Sequence, residues 1–246
     1  MLLNLFNKKN KPNPIFDVLG VDMHSHLLPG VDDGSKALDE SINCLRALAQ
    51  LGFSRTIITP HFQYPRFQNK EYDIERRYSE FCTQVKQAGV GIELAGIAGE
   101  YRIDTGFQAR LDNPQFLKVG GRYVLVELSL HHQLMGVDEM LFDMQMKGYD
   151  VILAHPERYP YITLSSDRYE RMKDAGILFQ CNILSLSGFY GPDARQKAIT
   201  LVDRGWSEFL GTDTHNEIYI KAMIEASHNR TVQRVLQRHQ FLNNQL

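Results

Sequence analysis

Apolar runs of strand length recur along the chain, and between them lie stretches whose apolar residues repeat every three or four positions. The first run, closing at Val21-Asp22-Met23, predicts a strand that ends at His24-Ser25-His26. A helix follows from about Lys36, with Leu38, Ile42, Leu45 and Ala49 as its buried stripe and Gly52 as its stop. Thr56 to Thr59 predicts the second strand, Phe62 to Gln68 a loop, Glu71 to Gln87 a polar helix, and Val90 to Ala98 the third strand. Tyr123 to Leu128 is β-branched and aromatic, as a fourth strand should be, and Asp138 to Lys147 reads as the helix after it. Val151 to Ala154, Ile177 to Asn182 and Phe209 to Gly211 predict three more strands, separated by helices at Asp167 to Asp174 and Asp193 to Arg204. The rest of the chain reads mostly as helix.

Seven strands in alternation with helices imply a parallel α/β sheet, and when such a sheet closes into a barrel its working residues sit at the carboxyl ends of the strands. Polar residues keep to that end here. His24 and His26, His61, Glu100, Glu127, His155, and Asp213 with His215 fall at or just beyond strand ends, whereas the strand bodies are apolar. Core histidines satisfied one by one would not gather at one end with two glutamates and an aspartate, because unpaired buried charge is expensive. Side chains two apart on a strand share a face, so His24 and His26 form a ready metal-binding pair, and the Pro29-Gly30 turn returns Asp32 and Asp33 toward them.

A length of 246 residues suits one large domain, read as 20–246 behind a Pro-punctuated leader at 1–19. Lys and Arg total 27 against 29 Asp and Glu, so no global basic field favours nucleic acid. The three cysteines, Cys44, Cys82 and Cys181, form no Cys-x-x-Cys pair and suit a reduced, cytoplasmic protein. In the leader the apolar stretch is too short for a signal sequence and its lysines follow rather than precede it, so neither export nor a membrane span is expected.

Mixed imidazole and carboxylate ligands suit manganese, iron or zinc. Adjacent divalent ions sharing a carboxylate lower the pKa of a bridging water toward neutrality and attract phosphoryl oxygens. Arg158, just past His155, is placed to bind equatorial phosphate oxygens, or else to pair with Glu157 or another carboxylate. The loop Phe62-Gln63-Tyr64-Pro65-Arg66-Phe67 offers a slot for a flat ring, and His131 and His132 read as exposed loop histidines.

Asp-Met-His-Ser-His at 22–26, Asp-Asp-Gly at 32–34, Thr-Pro-His at 59–61, Gly-Glu at 99–100, Val-Glu-Leu at 126–128, Ala-His-Pro-Glu-Arg-Tyr at 154–159 and Thr-Asp-Thr-His-Asn at 212–216 resemble the polymerase-and-histidinol-phosphatase (PHP) superfamily. Within it the chain most resembles the manganese-dependent protein-tyrosine phosphatases encoded with bacterial capsule and exopolysaccharide genes. The resemblance implies a distorted seven-stranded (β/α) TIM-like barrel and three divalent metal ions, manganese first, iron or zinc as alternatives. It implies that His24, His26, Glu100 and Asp213 surround one ion, that Glu100, Glu127 and His155 hold a second, and that Asp33, rather than Asp32, joins His61 and His215 at a third. Arg158 corresponds to a phosphate-contacting arginine. The family's arginine shortly after Asp-x-His-Asn is missing, since Asn216 is followed by Glu-Ile-Tyr-Ile-Lys, and Lys221, Arg66 or Arg102 are the candidates to replace it, with Tyr64 as a further substrate contact. The implied partner is a tyrosine-phosphorylated protein, a bacterial tyrosine kinase of capsule or exopolysaccharide synthesis.

A cysteine-dependent phosphatase needs an arginine six residues after its nucleophile, where this chain has Gln50, Ala88 and Ser187. A metal amidohydrolase would usually bridge its ions with a lysine at the end of strand four, where Glu127 stands. Two readings stay open beside the tyrosine phosphatase: a small-molecule phosphatase such as one for histidinol phosphate, and a metal-bound regulatory protein without turnover.

Overall fold

The computed structural model describes residues 11–112 and 114–246. In chain order its elements are β1 (Val21–Asp22), α1 (Leu38–Gln50), β2 (Arg55–Ile58), β3 (His61–Phe62), α2 (Glu71–Gln87), β4 (Glu93–Ile97), β5 (Glu100–Arg102) and α3 (Phe107–Asp112). They continue with β6 (Tyr123–Glu127), α4 (Val137–Met146), β7 (Asp150–Ala154), α5 (Arg168–Asp174), β8 (Leu178–Asn182), α6 (Ile183–Ser187), α7 (Pro192–Asp203), β9 (Phe209–Gly211), α8 (Glu217–Ser227) and α9 (Arg230–Arg238). Every pairing is parallel, in two sheets ordered β1-β2-β4 and β3-β5-β6-β7-β8-β9.

Two breaks turn seven barrel positions into nine strands. The second position is β2 and then β3, interrupted at Thr59-Pro60; the third is β4 and then β5, interrupted at Ala98-Gly99. Proline has no N–H to give a ladder, but its carbonyl still accepts from the Glu100 N–H at 3.0 Å, and the chain crosses from one sheet into the other. Gly99 is required at the second break, because a Cβ there would lie 2.6 Å from the Tyr101 ring and 2.8 Å from that of Phe62. The predicted 62–68 loop therefore begins one residue late: Phe62 is a buried strand residue, and the strand expected over 90–98 is split and extended to Arg102.

Closure between β1 and β9 is made at the top by a parallel bridge of Ser25 with Thr214 and by the Asp213 N–H donating to the His24 carbonyl at 2.8 Å. Lower down, side chains fill the seam. Asn243 donates through Nδ2 to the carbonyls of Val21 (2.9 Å) and Leu210 (2.7 Å) and accepts from the Leu210 N–H (3.1 Å). Asp22 accepts from the Thr212 N–H (3.0 Å) and hydroxyl (2.7 Å). The result is a distorted (β/α)7 barrel.

Strand register assigns the interior. His61 pairs with Glu100, Glu100 with Leu125, Leu125 with Ile152, Ala154 with Gln180 and Gln180 with Phe209, so these side chains share the inner face. Its lower part is apolar, built from Val21, Met23, Ile57, Leu125, Ile152 and Phe209. Its upper part is polar. Outside the barrel a second, larger core packs the helices against the strands.

Of the 1–19 leader, residues 1–10 lie outside the described residues. Phe16 and Leu19 are buried, Phe16 stacks on Phe53 with ring centroids 5.3 Å apart, and Asn13 bonds Ser227, so the packed body begins ahead of residue 20. Among the described residues no helix is long and apolar enough to cross a membrane.

Candidate metal centre

The strand ends converge on the carboxylate of Glu100, which is fully buried. Its Oε2 lies 3.2 Å from His24 Nε2, 3.2 Å from His26 Nε2 and 3.1 Å from His61 Nδ1. None of these approaches has hydrogen-bond geometry, so a buried anionic oxygen stands among three imidazole nitrogens with no partner. Asp33 Oδ1, His61 Nδ1 and His155 Nδ1 are likewise buried without hydrogen bonds. Unsatisfied polar atoms concentrated in this way mark the place of a ligand rather than a folding defect.

His24 Nε2, His26 Nε2, Glu100 Oε2 and Asp213 Oδ1 form a compact cage with neighbouring separations of 3.1–3.5 Å. Four donors about 2.1 Å from a tetrahedral ion would stand about 3.4 Å apart, so the cage fits a first-row divalent metal. His61 faces two ways: Nδ1 looks at Glu100 and, at 3.3 Å, at Glu127 Oε1, while Nε2 looks at Asp33 Oδ1 at 3.4 Å. His215 Nε2 is 3.6 Å from the same Asp33 oxygen. His155 Nε2 is 3.0 Å from Glu100 Oε1 but 4.0 Å from Glu127 Oε2. Three groupings with metal-ligand spacing result: His24, His26 and Asp213; His26, Asp33, His61 and His215; and His61, Glu100 and Glu127. Eight of the nine expected ligands fall in these groupings; His155 approaches Glu100 but falls in none, His61 stands beside Glu100 and Glu127 where His155 was expected, and His26 and His61 are each shared by two groupings.

Local backbone places these side chains. Gly34 is needed because a Cβ would come 2.0 Å from the His26 carbonyl oxygen, and that approach folds the Asp-Asp-Gly turn onto the site. His155 (φ 35°) and Asp213 (φ 52°) are the non-glycine residues with positive φ among the described residues, a conformation tolerated where surroundings or function over-determine it. Asn216, predicted only as part of a motif, caps α8 by accepting from the Ile218 N–H.

Electrostatics follow from this crowding. Burial raises the Glu100 carboxyl, but His24 and His61 outweigh it and hold Glu100 well below the usual range. Burial lowers His61, yet Glu100 reverses this and raises the imidazole to about 9. For His26, Asp32 and Asp213 overcome burial and raise it well above normal.

Asp32, which the resemblance leaves out of the ligand set in favour of Asp33, has a different task. Its Oδ2 lies 2.8 Å from His26 Nδ1 and accepts from the His61 N–H at 3.0 Å, which turns His26 Nε2 toward the cage. Arg158 donates to Asp213 Oδ2 at 2.9 Å, the pairing with another carboxylate that stands beside the phosphate role, and lies over the Tyr190 ring; Glu157 is buried against Asn182 and Ser185. Arg102 pairs with Glu127 at 2.8 Å, its register partner.

A cavity of about 480 Å³ opens over the cage, lined by Arg66, Arg102, Arg158, His131, Asn216 and Tyr219 among others. Tyr64 lines an adjoining groove instead, and Lys221 is exposed on α8 away from both. Tyr219, stacked on His215 at 5.0 Å, is a wall residue that no motif announced.

Known proteins share this chain's sequence pattern and fold. A tyrosine-protein phosphatase of Bacillus subtilis, YwqE, is 26% identical over 197 residues, 80% of this chain and 77% of its own length. CpsB of Streptococcus pneumoniae, also a tyrosine-protein phosphatase, is 25% identical over 203 residues, 80% of this chain and 83% of its own. Among solved structures, a chain from the work on YwqE and CpsB as metal-dependent tyrosine phosphatases superposes with a TM-score of 0.76 at 23% identity, covering 89% of this chain and 95% of that one, a likeness in fold. The family model for capsular polysaccharide synthesis, CpsB/CapC, matches residues 20–240, and the chain belongs to that family.

Proposed function

We propose that this chain is a metal-dependent protein-tyrosine phosphatase that hydrolyses phosphotyrosine on a bacterial protein, a tyrosine kinase of capsule or exopolysaccharide synthesis, in the cytoplasm. The observation that carries the reading is the unpartnered Glu100 carboxylate oxygen within 3.2 Å of three imidazole nitrogens, at the floor of an open cavity. His24, His26, Glu100 and Asp213 would hold one ion, Glu100, Glu127 and His155 a second, and Asp33, His61 and His215 a third, with manganese the expected metal. Such ions, when bound, make a coordinated water nucleophilic near neutral pH and offset phosphoryl charge.

The chain's own groups do the rest. Arg158 and Arg102 reach the cavity from the Asp213 and Glu127 sides, each carboxylate leaving guanidinium N–H groups for a phosphate. Arg102 is our choice for the role of the missing family arginine, because it is largely buried at the cavity wall, whereas Arg66 is 62% exposed and 3.6 Å from Asp33, and Lys221 is elsewhere. Tyr219 supplies an apolar face for a phenyl ring. A phenol leaves with a pKa near 10, so phosphotyrosine needs little proton donation, and no buried acid beyond the metal cage is called for.

The test compares kcat/KM for a phosphotyrosine peptide with that for histidinol phosphate in manganese-loaded protein. A clear preference for the peptide is expected; preference for histidinol phosphate would move the chain to the small-molecule reading.

A further inference from the structure

Six of the seven barrel positions end in a residue of the expected ligand set, and the sixth, β8, does not. It ends in Gln180 and Asn182, both fully buried and both on the inner face by register. A buried amide must be explained by its hydrogen bonds.

Those bonds run in one direction. Asp213 Oδ2 is a carboxylate oxygen and only accepts, so Asn182 donates to it through Nδ2 at 2.8 Å. That fixes Asn182 Oδ1 as the acceptor from Gln180 Nε2, again at 2.8 Å. Gln180 Oε1 must then accept, and its partner is His24 Nδ1 at 2.8 Å, which carries the proton. His24 Nε2 is thereby left with its lone pair facing Glu100 and Asp213. At the other end of the chain, Asp213 Oδ2 receives both Asn182 and Arg158, and Oδ1 is the oxygen turned toward His24 and His26 at 3.5 and 3.4 Å.

We propose that Gln180 and Asn182 are positioning residues: a buried amide relay from Asp213 to His24 that fixes the His24 tautomer and presents Asp213 Oδ1 to the metal. The relay rests on reading the cage as a metal centre and makes no use of the substrate. The same strand also holds His155, whose N–H donates to the Gln180 carbonyl at 2.7 Å, so β8 backs three of the expected ligands while adding none.

Gln180→Met keeps length and removes both relay bonds; Gln180→Glu keeps an acceptor for His24 Nδ1–H. Manganese affinity, measured by competition with a chelating indicator, is expected to fall tenfold or more in Gln180→Met, the scale for losing an outer partner of a ligating histidine, and to recover at least half of that loss, on a logarithmic scale, in Gln180→Glu. Circular dichroism of the metal-free variants establishes that the fold is retained. If Gln180→Met does not fold, the wild type decides: imidazole ¹⁵N spectra of zinc-loaded protein, with His24 assigned by its loss in His24→Gln, should show the proton on Nδ1 and the metal on Nε2. Wild-type affinity in Gln180→Met, or a His24 ring bound through Nδ1, would overturn the proposal. Neither readout depends on which phosphate ester is the substrate.

Discussion

Arg158 and Asp213 are held together at 2.9 Å in the lining of the cavity, and the same carboxylate aims its other oxygen at His24 and His26. One residue therefore faces both the phosphate side and the metal side. Arg158→Ala is expected to lower kcat/KM about 10²- to 10³-fold, as for loss of one oxyanion-type donor, with metal content near wild type because Asn182 still holds Asp213 Oδ2. Metal content that fell in step with activity would make Arg158 a support for Asp213 instead.

Chelation should abolish phosphate release and manganese should restore it. Because Glu100 approaches His24, His26, His61 and His155, Glu100→Gln should remove more metal and more activity than His215→Ala, whose ring stands at the rim against Asp33. Metal analysis of the two purified variants checks the order. Full turnover in verified metal-free protein would sink the mechanism.

The pH dependence of the metal-free protein follows from the same imidazoles. His61 is raised to about 9 and His26 well above its usual value, so each binds its proton more tightly folded than unfolded. Their contribution to stability is complete below about pH 6.5 and is lost as pH rises through about 9. Asp22, raised by burial to about 6, and the depressed Glu100 and Asp213 change charge below this window. The metal-free melting temperature should fall between pH 6.5 and 9. Metal must displace those protons, so the gain in melting temperature on adding metal should grow over the same interval. A flat metal-free profile would show that the cage is not protonated.

How much of this was legible in the sequence depends on whether local pattern or distant contact decides. The helix over Glu71–Gln87 and the strand at Phe209–Gly211 coincide with their expected bounds, because period and flanking glycines set them. The breaks at Pro60 and Gly99 were hidden, since a strand that changes partner keeps the same alternation, and only the rings of Tyr101 and Phe62 require glycine there. Short helices at Phe107–Asp112 and Ile183–Ser187 offer too few turns for a period to show. In the site, charged residues at strand ends announced themselves by their cost of burial. Gln180, Asn182 and Tyr219 did not, because an amide or a tyrosine near a strand end or on a helix is unremarked until its partner, far away in sequence, is known.

Asn243 is the clearest case of a stability role that only the closed barrel reveals. It is fully buried and replaces strand-to-strand bonds across the seam between β1 and β9 with three bonds of its own, to Val21 and twice to Leu210. Alanine would leave two carbonyls and one N–H without partners in a site that closes over them. The expected cost is about 3 kcal/mol, near 10 °C in melting temperature for a chain of this size. Because Asn243 binds the lower part of the seam, at Val21 and Leu210, and none of its hydrogen bonds reaches a cage residue, manganese affinity and kcat at low temperature should stay within about twofold of wild type. Thermal melts of metal-loaded Asn243→Ala beside wild type check the first part, and an unchanged melting temperature would mean that the flanking strands close the seam by themselves.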